Sequence, residues 1–518
     1  MYYCKIARTD KEFDEIARFN YQTFVEEISQ HSPNNDGILQ DRFHNENTYI
    51  LVYRNNDIVG MLAFRDQRPF SLDEKIGNVE DYLDSSDCEK LCEIRLLAVK
   101  KQFRNGRVFR QLAKAIYTYV YERNYSGAII SGFTKEEKMY KHLGFTPFGS
   151  EVGTSQAKFI PMILTRKNCA QMAEKIRLKQ HYFYPGPVLQ TSTLTNTSLS
   201  HRSGNFKNLY QELLDRLLQE AQAKFVTTIV GSGTLANEAM LGQMKADFQQ
   251  QKGIILSNGE FGERLIRQAR HWDLQFHSCL YQWGETFQLA EIEERFKTGE
   301  YRWIALVHGE TSTGECNNLQ AITRLAEQYQ VKVCVDCIST FGALAFSMRG
   351  LYMASAVSGK ALGALSGLSF VFLNQVPQTN DAPLYLNLAH YFYHPIPFTI
   401  PAFLVSNTVE ALKEYPERYK ILKSRLDSVE DSSISRYKIC VSSNYPTIMS
   451  FVFPHSLQNF SDDAKLNGFF LHDESVYLKE NHIFQISTIG PDFEVAFENL
   501  IQFFDQYINT SLVLQTSD

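Results

Sequence analysis

Apolar and polar positions along this chain follow two periods, one helix-like and one strand-like, that alternate through most of its length. A helix-like period covers Lys11–Ile28 and Val108–Arg123. Between these two predicted helices lie three strand-like apolar runs: Thr48–Arg54, Ile58–Arg65 and Cys92–Val99. The pattern predicts a mixed α/β domain over residues 1–165.

The rest of the chain predicts a linker and two further domains. Residues 166–180 are polar and helical in character, which is typical of a linker. Over residues 181–399 strand-like runs alternate with helical stretches, and this predicts a largely parallel sheet with crossover helices. Residues 400–518 hold predicted helices at Ala402–Tyr415 and Phe493–Tyr507 and form a smaller α+β lobe. The expected fold class is therefore α/β.

Polar motifs follow the strand-like runs of the large domain. A glycine-containing turn follows Phe225–Val230, Asp336 follows a run of alternating valines, and Lys360 lies farther along the chain. Ligands of α/β sheets bind beyond the carboxyl ends of the strands, so we expect these groups to lie at one edge of the sheet. An amine, a carboxylate and a turn that can hold phosphate are the groups that bind pyridoxal phosphate.

Each group would have its own task toward this cofactor. Lys360 would bond to the cofactor aldehyde and later move the substrate proton. Asp336 would keep the pyridine nitrogen protonated, although a helix-capping aspartate is the plainer alternative. Phe261 would stack on the cofactor ring, or else be an ordinary core residue. The phosphate would lie at a helix N-terminus that begins with three residues: Ser232, Gly233 and Thr234.

Composition and charge narrow the class of protein. The formal charge of −6 argues against a nucleic-acid binder, and no apolar stretch approaches the length of a membrane helix. The first residues lack the apolar segment of a secretion signal. The nine cysteines are scattered, and the lone pair Cys334 and Cys337 favours buried thiols over a metal site. We therefore expect a cytoplasmic enzyme that uses neither nucleic acid, membrane nor metal.

The order of the motifs resembles class V aminotransferases over about residues 181–510. The motifs are Pro185-Gly186-Pro187, Ser200-His201-Arg202-Ser203, Gly231-Ser232-Gly233-Thr234, Asn258-Gly259, His308-Gly309-Glu310-Thr311-Ser312-Thr313-Gly314, Asp336 and Lys360. The resemblance is to the alanine/serine–glyoxylate and 2-aminoethylphosphonate–pyruvate members. It implies a fold-type I homodimer in which Thr399 reaches the partner's phosphate and Ser312 touches the cofactor ring hydroxyl. It also implies a substrate site with contributions from Gly186, Arg202 and Gln485.

Gln485 stands where this family carries the arginine that binds the substrate carboxylate. A neutral amide cannot form the bidentate, charge-assisted pair that an arginine forms. Either another arginine, Arg202 or Arg264, compensates, or the substrate is not a simple α-amino acid. A lyase or decarboxylase that acts on an unusual amine is therefore an alternative to a transaminase. A scaffold that retains the fold is a third interpretation, which the presence of both Asp336 and Lys360 disfavours.

The first domain resembles GNAT-type acyltransferases. The run Cys92–Val99 leads into a turn and a helix, as in the thioester-binding centre of that family, and the acyl-donor contacts would come from Arg104, Asn105 and Gly106. Tyr140 would protonate the leaving thiolate, and Glu93 would act as a base toward an amine. Arg107 and Phe109 stand at two usual glycine positions. Their side chains would crowd the pyrophosphate of an acyl-CoA, so the alternatives to an acyl-CoA donor are an acyl-carrier-protein thioester or an idle domain that binds a partner.

The sequence as a whole predicts a bifunctional enzyme. An aminotransferase would exchange an amino group between a small amine and an oxo acid, and the fused acyltransferase domain would acylate an amine.

Overall fold

The computed structural model describes residues 1–28, 30–153, 158–175, 178–188, 199–394, 396–440 and 444–515. The chain divides into two compact units. The first unit comprises Met1–His181, Pro454–Phe470 and Glu498–Asp518, and the second comprises Tyr182–Phe453 and Leu471–Phe497. Residues 400–518, which the sequence places in one small lobe, are thus shared between the two units. The functional domain boundaries stay a prediction.

The N-terminal part of the first unit alternates strands and helices much as its sequence predicts. The elements of residues 1–175 are β1 (Tyr3–Ile6), α1 (Asp10–Tyr21), β2 (Thr48–Arg54), β3 (Asp57–Arg65), α2 (Asp73–Ile76), β4 (Leu91–Val99), α3 (Arg107–Glu122), β5 (Gly127–Phe133), α4 (Glu137–His142), β6 (Thr146–Pro147), β7 (Val152–Gly153), β8 (Lys158–Thr165) and α5 (Arg166–Lys175). The predicted first helix is divided, because a π-helical segment over Gln22–Glu27 follows α1.

These strands form one mixed sheet in the order β1-β2-β3-β4-β5-β8-β6, with β7 paired to β8. The pairing of β4 with the parallel strand β5 is confined, among the described residues, to Leu91–Glu93 against Gly127–Ile129. Beyond these residues β4 carries a bulge against β3, where Leu96 has a φ of 54°. The sheet therefore opens between β4 and β5, just after Glu93.

Helix α3 packs against the sheet through an apolar face that recurs every four residues: Val108, Leu112, Ile116 and Val120. Cys169 of α5 is buried in the same core. The first part of the predicted linker, residues 166–175, is therefore a helix packed on the first unit.

The remaining elements follow in chain order from residue 181. They are β9 (His181–Phe183), α6 (Gly204–Ala221), β10 (Phe225–Val230), α7 (Gly233–Phe248), β11 (Lys252–Ser257), α8 (Glu260–His271), β12 (Phe276–Leu280), α9 (Leu289–Lys297), β13 (Tyr301–Val307), β14 (Gly309–Glu310), β15 (Glu315–Cys316), α10 (Leu319–Gln328), β16 (Lys332–Asp336), β17 (Leu351–Val357), β18 (Leu368–Leu373), α11 (Leu388–Tyr393), α12 (Ala402–Lys413), α13 (Tyr415–Glu430), β19 (Ile448–Val452), α14 (Phe460–Leu466), β20 (Phe469–Leu471), α15 (Val476–Glu480), β21 (Ile483–Ser487) and α16 (Phe493–Gln515).

The second unit is built on a seven-stranded sheet in the order β10-β18-β17-β16-β13-β11-β12. Only β18 runs antiparallel to its neighbours, which confirms the predicted parallel sheet with crossover helices. The parallel strands therefore end at one edge, and the polar motifs lie there. Among the described helices, none has the length and apolar character needed to cross a membrane.

Candidate active site

Asp336 ends β16, and its side chain is buried between strand and helix partners. One carboxylate oxygen, Oδ1, accepts a hydrogen bond from the backbone N–H of Ile338 at 2.9 Å. The other, Oδ2, accepts from the Asn237 side-chain amide at 2.7 Å. The hydroxyl of Ser355 donates to Asn237 Oδ1 at 2.6 Å and so fixes which way that amide points. Asp336 is thus held in one orientation by contacts from its own loop and from α7.

Lys360 lies in the turn after β17, within electrostatic reach of this carboxylate. Burial lowers the pKa of the Lys360 amine, while the carboxylates of Asp336 and Glu310 act in the opposite direction. Burial raises the pKa of Asp336, against the hydrogen bond from Asn237 and the positive charge of Lys360. The pair thus supplies a lysine that loses its proton more readily than a free lysine, and a carboxylate with two donors.

Phe261 lies in the first turn of α8 and presents its ring to Lys360. The Lys360 Nζ lies 5.4 Å from the centre of that ring. The buried Glu310 carboxylate fixes the start of α8, since it accepts from the backbone N–H of Phe261 at 3.3 Å and of Gly262 at 3.0 Å. An anion at a helix N-terminus is favourably placed. Glu310 therefore sets the position of Phe261.

The hairpin of β14 and β15 carries Ser312 at its buried turn. The Ser312 hydroxyl donates to Glu310 Oε1 at 2.5 Å and accepts from the backbone N–H of Glu260 at 3.0 Å. Gln485, in β21, braces the same turn, because its amide donates to the Thr311 carbonyl at 2.9 Å. The turn is therefore fixed both to α8 and to β21.

The N-terminus of α7 is open to solvent and fits an anion. Ser232 is its N-cap, and its side chain makes no capping hydrogen bond. Ser232 and Thr234 are exposed. At Gly233 an added Cβ would lie 2.7 Å from the Ile338 side chain, so only glycine lets α7 approach the loop after Asp336 this closely. Free backbone N–H groups and two hydroxyls thus lie together at a helix dipole, as a phosphate requires.

The chemistry of these residues fits pyridoxal phosphate. Lys360 would bond to the aldehyde, Asp336 would face the pyridine nitrogen, and Phe261 would cover the ring. Ser232, Gly233 and Thr234 would hold the phosphate. Within the described part of the chain, the Lys360 amine forms no hydrogen bond or ion pair, so it is available to an aldehyde.

The substrate residues expected from the sequence, and Thr399, differ in their position relative to Lys360. Gly186 lies against Lys360, since an added Cβ there would be 3.3 Å from Lys360 Cγ. Gln485 is fully buried. Arg202 and Thr399 are exposed. No contact among the described residues ties Arg202 or Thr399 to the Lys360 site, and their roles stay predictions.

Three residues of this site were missed by the sequence analysis: Asn237, Ser355 and His472. Asn237 and Ser355 behind Asp336 lie 99 and 19 residues away from it along the chain, and nothing in their local sequence marks them. His472 was also missed. Burial lowers the pKa of His472, and the positive charge of Lys360 adds to that effect.

In the first unit, the residues proposed for acyl transfer lie around the opening between β4 and β5. Tyr140 packs on β5, where an added Cβ at Gly132 would lie 3.0 Å from the tyrosine ring. Burial raises the pKa of Tyr140, so its phenol keeps its proton. Glu93 is fully buried and accepts from the Ser71 backbone and hydroxyl and from the Leu72 backbone at 2.5–3.1 Å. These contacts suit a structural anion, and its role as a base stays a prediction.

The turn before α3 carries the predicted acyl-donor residues. Gly106 is the N-cap with a φ of 84°, a conformation that favours glycine, and an added Cβ would meet no atom within 4 Å. Asn105 Oδ1 accepts from the Arg107 backbone at 3.2 Å. Arg104 is exposed and pairs with Glu27 at 2.5 Å. The α3 N-terminus is therefore accessible.

A buried charge cluster near Glu93 was also missed. Arg95 forms a bidentate pair with Asp41 at 2.7 and 3.0 Å, and its Nε lies 3.7 Å from Glu93. The ring of Phe43 lies between the guanidinium groups of Arg65, at 3.8 Å, and Arg95, at 4.8 Å. The Glu93-Ile94-Arg95 triplet of β4 shows two of these charges in the sequence. Their partners, Asp41 and Phe43, come from a loop about fifty residues earlier.

Comparison with known proteins agrees with this division. Residues 188–386 match the family described as aminotransferase class-V, and residues 15–168 match the family described as N-acyl amino acid synthase FeeM. A 2-aminoethylphosphonate–pyruvate transaminase of Pseudomonas aeruginosa is 30% identical over 252 residues, which cover 45% of this chain and 67% of the relative.

A bifunctional phosphonoacetaldehyde hydrolase/aminoethylphosphonate transaminase of Clostridioides difficile is 25% identical over 362 residues, or 63% of this chain. The chain spans about half the length of that relative, 56%. The structure of pyridoxamine–pyruvate aminotransferase from Mesorhizobium loti is similar in fold, with a TM-score of 0.57 at 17% identity over 66% of this chain and 98% of that one.

Both relatives are described as transaminases, and they do not favour the lyase or decarboxylase alternative. The chain belongs to the class V aminotransferase family, whose model matches residues 188–386, and its residues 15–168 match the model of the N-acyl amino acid synthase FeeM family.

Proposed function

We propose that the second unit transfers an amino group between a small amine and an oxo acid with pyridoxal phosphate bound at Lys360. The observation that carries this proposal is the arrangement of Lys360 beside Asp336 and 5.4 Å above the Phe261 ring. The cofactor supplies the electron sink for the reaction. A homodimer, in which Thr399 faces the partner's phosphate, is part of the proposal.

The residues of this chain would divide the work around the cofactor. Because burial lowers its pKa, Lys360 reaches the neutral form more readily than a free lysine, and that form can attack an aldehyde and accept a proton from the substrate carbon. Asp336, held by Asn237, would keep the ring nitrogen protonated. Phe261 and the Thr311–Thr313 turn would exclude water from one side of the site.

We propose that the first unit transfers an acyl group from a thioester to an amine. The opening between β4 and β5 gives space for the thioester, and the α3 N-terminus would bind its phosphate groups. Tyr140 would donate its proton to the departing thiolate. The exposed Arg107 at this helix favours a donor that carries negative charge, such as a coenzyme A or acyl-carrier-protein thioester.

The cofactor proposal is tested by chemical trapping. The purified protein is incubated with pyridoxal phosphate and then reduced with borohydride. After digestion, the masses of the peptides are determined by mass spectrometry. We expect the cofactor mass on the peptide that contains Lys360, and its loss in Lys360→Ala. Lys413→Ala is the matched control, since Lys413 is an exposed lysine that pairs with Glu410. A label on another lysine, or none, would contradict the proposal.

Transamination is separated from lyase chemistry by the need for an acceptor. The loaded protein is given 2-aminoethylphosphonate, L-alanine or L-serine, with and without pyruvate or glyoxylate. We expect sustained product only when an oxo acid is present. Continuous product formation without an oxo acid would instead establish the lyase.

Acyl transfer is tested by thiol release. Acyl-CoA and acyl-carrier-protein thioesters of several lengths are offered with the amines of the first assay. We expect thiol release that depends on both partners and falls in Tyr140→Phe. An absence of release with every donor would favour a binding domain. A cytoplasmic location is also proposed, because all nine cysteines are free thiols.

A further inference from the structure

The side-chain amide of Gln485 has no hydrogen left to offer a substrate. It donates to the Thr311 carbonyl at 2.9 Å and to the Ser450 hydroxyl at 2.9 Å, with a longer contact to the Ser312 carbonyl. The Ser450 hydroxyl in turn donates to the Thr313 carbonyl at 2.8 Å. A flip of the Gln485 amide would therefore point its oxygen at other acceptor oxygens. Gln485 therefore braces a turn and cannot bind an anion.

A cation does lie beside the reactive lysine, on α8. The guanidinium carbon of Arg264 lies 4.6 Å from the centre of the Phe261 ring. Lys360 Nζ lies 5.4 Å from the centre of the same ring. The positive charge of Arg264 also contributes to lowering the pKa values of both Lys360 and Asp336. Arg264 thus belongs to the surroundings of the amine that a substrate must approach.

The guanidinium of Arg264 is only partly committed to protein partners. Its Nη2 donates to Glu260 Oε1 at 2.9 Å, and within the described part of the chain it makes no other hydrogen bond. Its side chain is 35% exposed. The planar fork of an arginine can bind two oxygens of one anion, so unused donors here favour a carboxylate or a phosphonate.

We propose that Arg264 is the specificity residue that binds the anionic end of the amine substrate. The substrate class is then a short primary amine that carries a carboxylate or phosphonate group. Glu260 would hold Arg264 over Phe261 and leave the remaining donors for the ligand. This inference rests on the proposed function, since it takes Lys360 as the site of the amine.

The test compares three amines that differ in the group at one end. 2-Aminoethylphosphonate, β-alanine and n-propylamine are titrated into the loaded protein, and the change in the cofactor absorbance gives an apparent Kd for each. The variants are Arg264→Met, which keeps most of the apolar stem, and Arg264→Lys, which keeps the charge without the fork. Arg267→Met is the matched control, since Arg267 is an exposed arginine one turn along the same helix.

We expect Arg264→Met to weaken binding of the two anionic amines at least tenfold and to leave n-propylamine unchanged. Arg264→Lys should restore part of the loss, and Arg267→Met should behave as the wild type. The cofactor affinity should change little in any variant, whereas a merely structural role would weaken all ligands together. Whichever of the two anionic amines has the lower apparent Kd identifies the anion that the site prefers.

Equal binding of anionic amines by Arg264→Met and the wild type would overturn the inference. So would wild-type protein that binds n-propylamine as tightly as both anionic amines. A wild-type protein that takes up no cofactor would instead refute the proposed function, and the two failures are therefore distinguishable.

Discussion

The side-chain amide of Asn237 donates to the Asp336 carboxylate over 2.7 Å, and both side chains are buried. Asn237 lies on α7, whose N-terminus forms the predicted phosphate site, while Asp336 ends β16. One hydrogen bond thus links the two parts of the site that would hold opposite ends of the cofactor. Ser355, on β17, orients the amide from behind.

Replacing Asn237 by Leu should weaken cofactor binding. The Asp336 carboxylate would keep only the Ile338 donor, and loss of a hydrogen bond to a charged group costs about 1.5–3 kcal/mol. We expect the cofactor Kd to rise by roughly 10- to 100-fold, as measured by absorbance titration. Ser355→Ala leaves the bond to Asp336 in place and should cost less. Equal affinities for Asn237→Leu and the wild type would show that Asn237 does not support Asp336.

Gly359, just before the reactive lysine, is required by packing. An added Cβ would lie 2.0 Å from Ser366 Oγ and 2.6 Å from the Ser366 Cα. Gly359→Ala must therefore displace backbone, and overpacking of this kind costs about 1–3 kcal/mol. We expect lower thermal stability and weaker cofactor uptake. The control is Gly204→Ala at the start of α6, where an added Cβ meets no atom within 4 Å.

If Gly359→Ala and Gly204→Ala unfold at the same temperature, the close approach of Ser366 does not limit this position.

The stability of the cofactor-free protein should depend on pH through Lys360. Burial lowers its pKa in the folded state, so between that value and the ordinary 10.5 the unfolded chain binds more protons than the folded one. Stability therefore rises with pH across this window and is lost as pH falls through it. Lys360→Met should flatten this rise, as measured by chemical denaturation from pH 7 to 10. An unchanged slope in the variant would contradict the lowered pKa.

The same shift should appear in the reaction with the cofactor. The rate of absorbance change on addition of pyridoxal phosphate should rise with pH and reach its midpoint below 10.5, the ordinary value for lysine. The reference compound is Nα-acetyl-lysine, which has a free side-chain amine. Its rate under the same conditions corrects for ionisation of the cofactor. A midpoint at or above that of the free lysine would be inconsistent with a buried amine.

Local patterns in the sequence were sufficient to predict much of the fold. The strands at Thr48–Arg54 and Phe225–Val230 were predicted with the bounds that they have. Their apolar runs are bounded by polar or glycine residues, so the pattern contains its own limits. The edge of the sheet that carries Asp336 and Lys360 follows from the parallel topology.

What the sequence could not predict depends on contacts between distant parts of the chain. Gln485 braces a turn only because it donates to the carbonyl of Thr311, 174 residues away. Asn237 supports the site only through its hydrogen bond to Asp336, 99 residues away. The division of α16 between two units is likewise invisible to periodicity, because its apolar positions recur in the same way on both sides of the boundary near Glu498. Such partners are known only once the chain is folded.

Asp463 should be essential for the first unit, although it lies near the far end of the chain. It is fully buried, and it accepts from the Ile6 backbone at 2.9 Å, from Arg8 at 2.7 Å and from the Tyr507 hydroxyl at 2.8 Å. Residues 454–470 and 498–515 therefore cover the edge strand β1. Removing one member of a buried ion pair costs about 3–5 kcal/mol, so Asp463→Ala should expose this edge.

Hydrogen exchange followed by mass spectrometry measures this exposure directly, without assuming that the two units unfold together. We expect much faster exchange over Tyr3–Ile6 in Asp463→Ala, while the sheet of the second unit stays protected. Asp462→Ala is the matched control, because Asp462 is the adjacent acid but is exposed. Unchanged protection of β1 in Asp463→Ala would mean that the strand is held by its pairing with β2 alone. In that case a fragment of residues 1–181 should fold without the C-terminal segments.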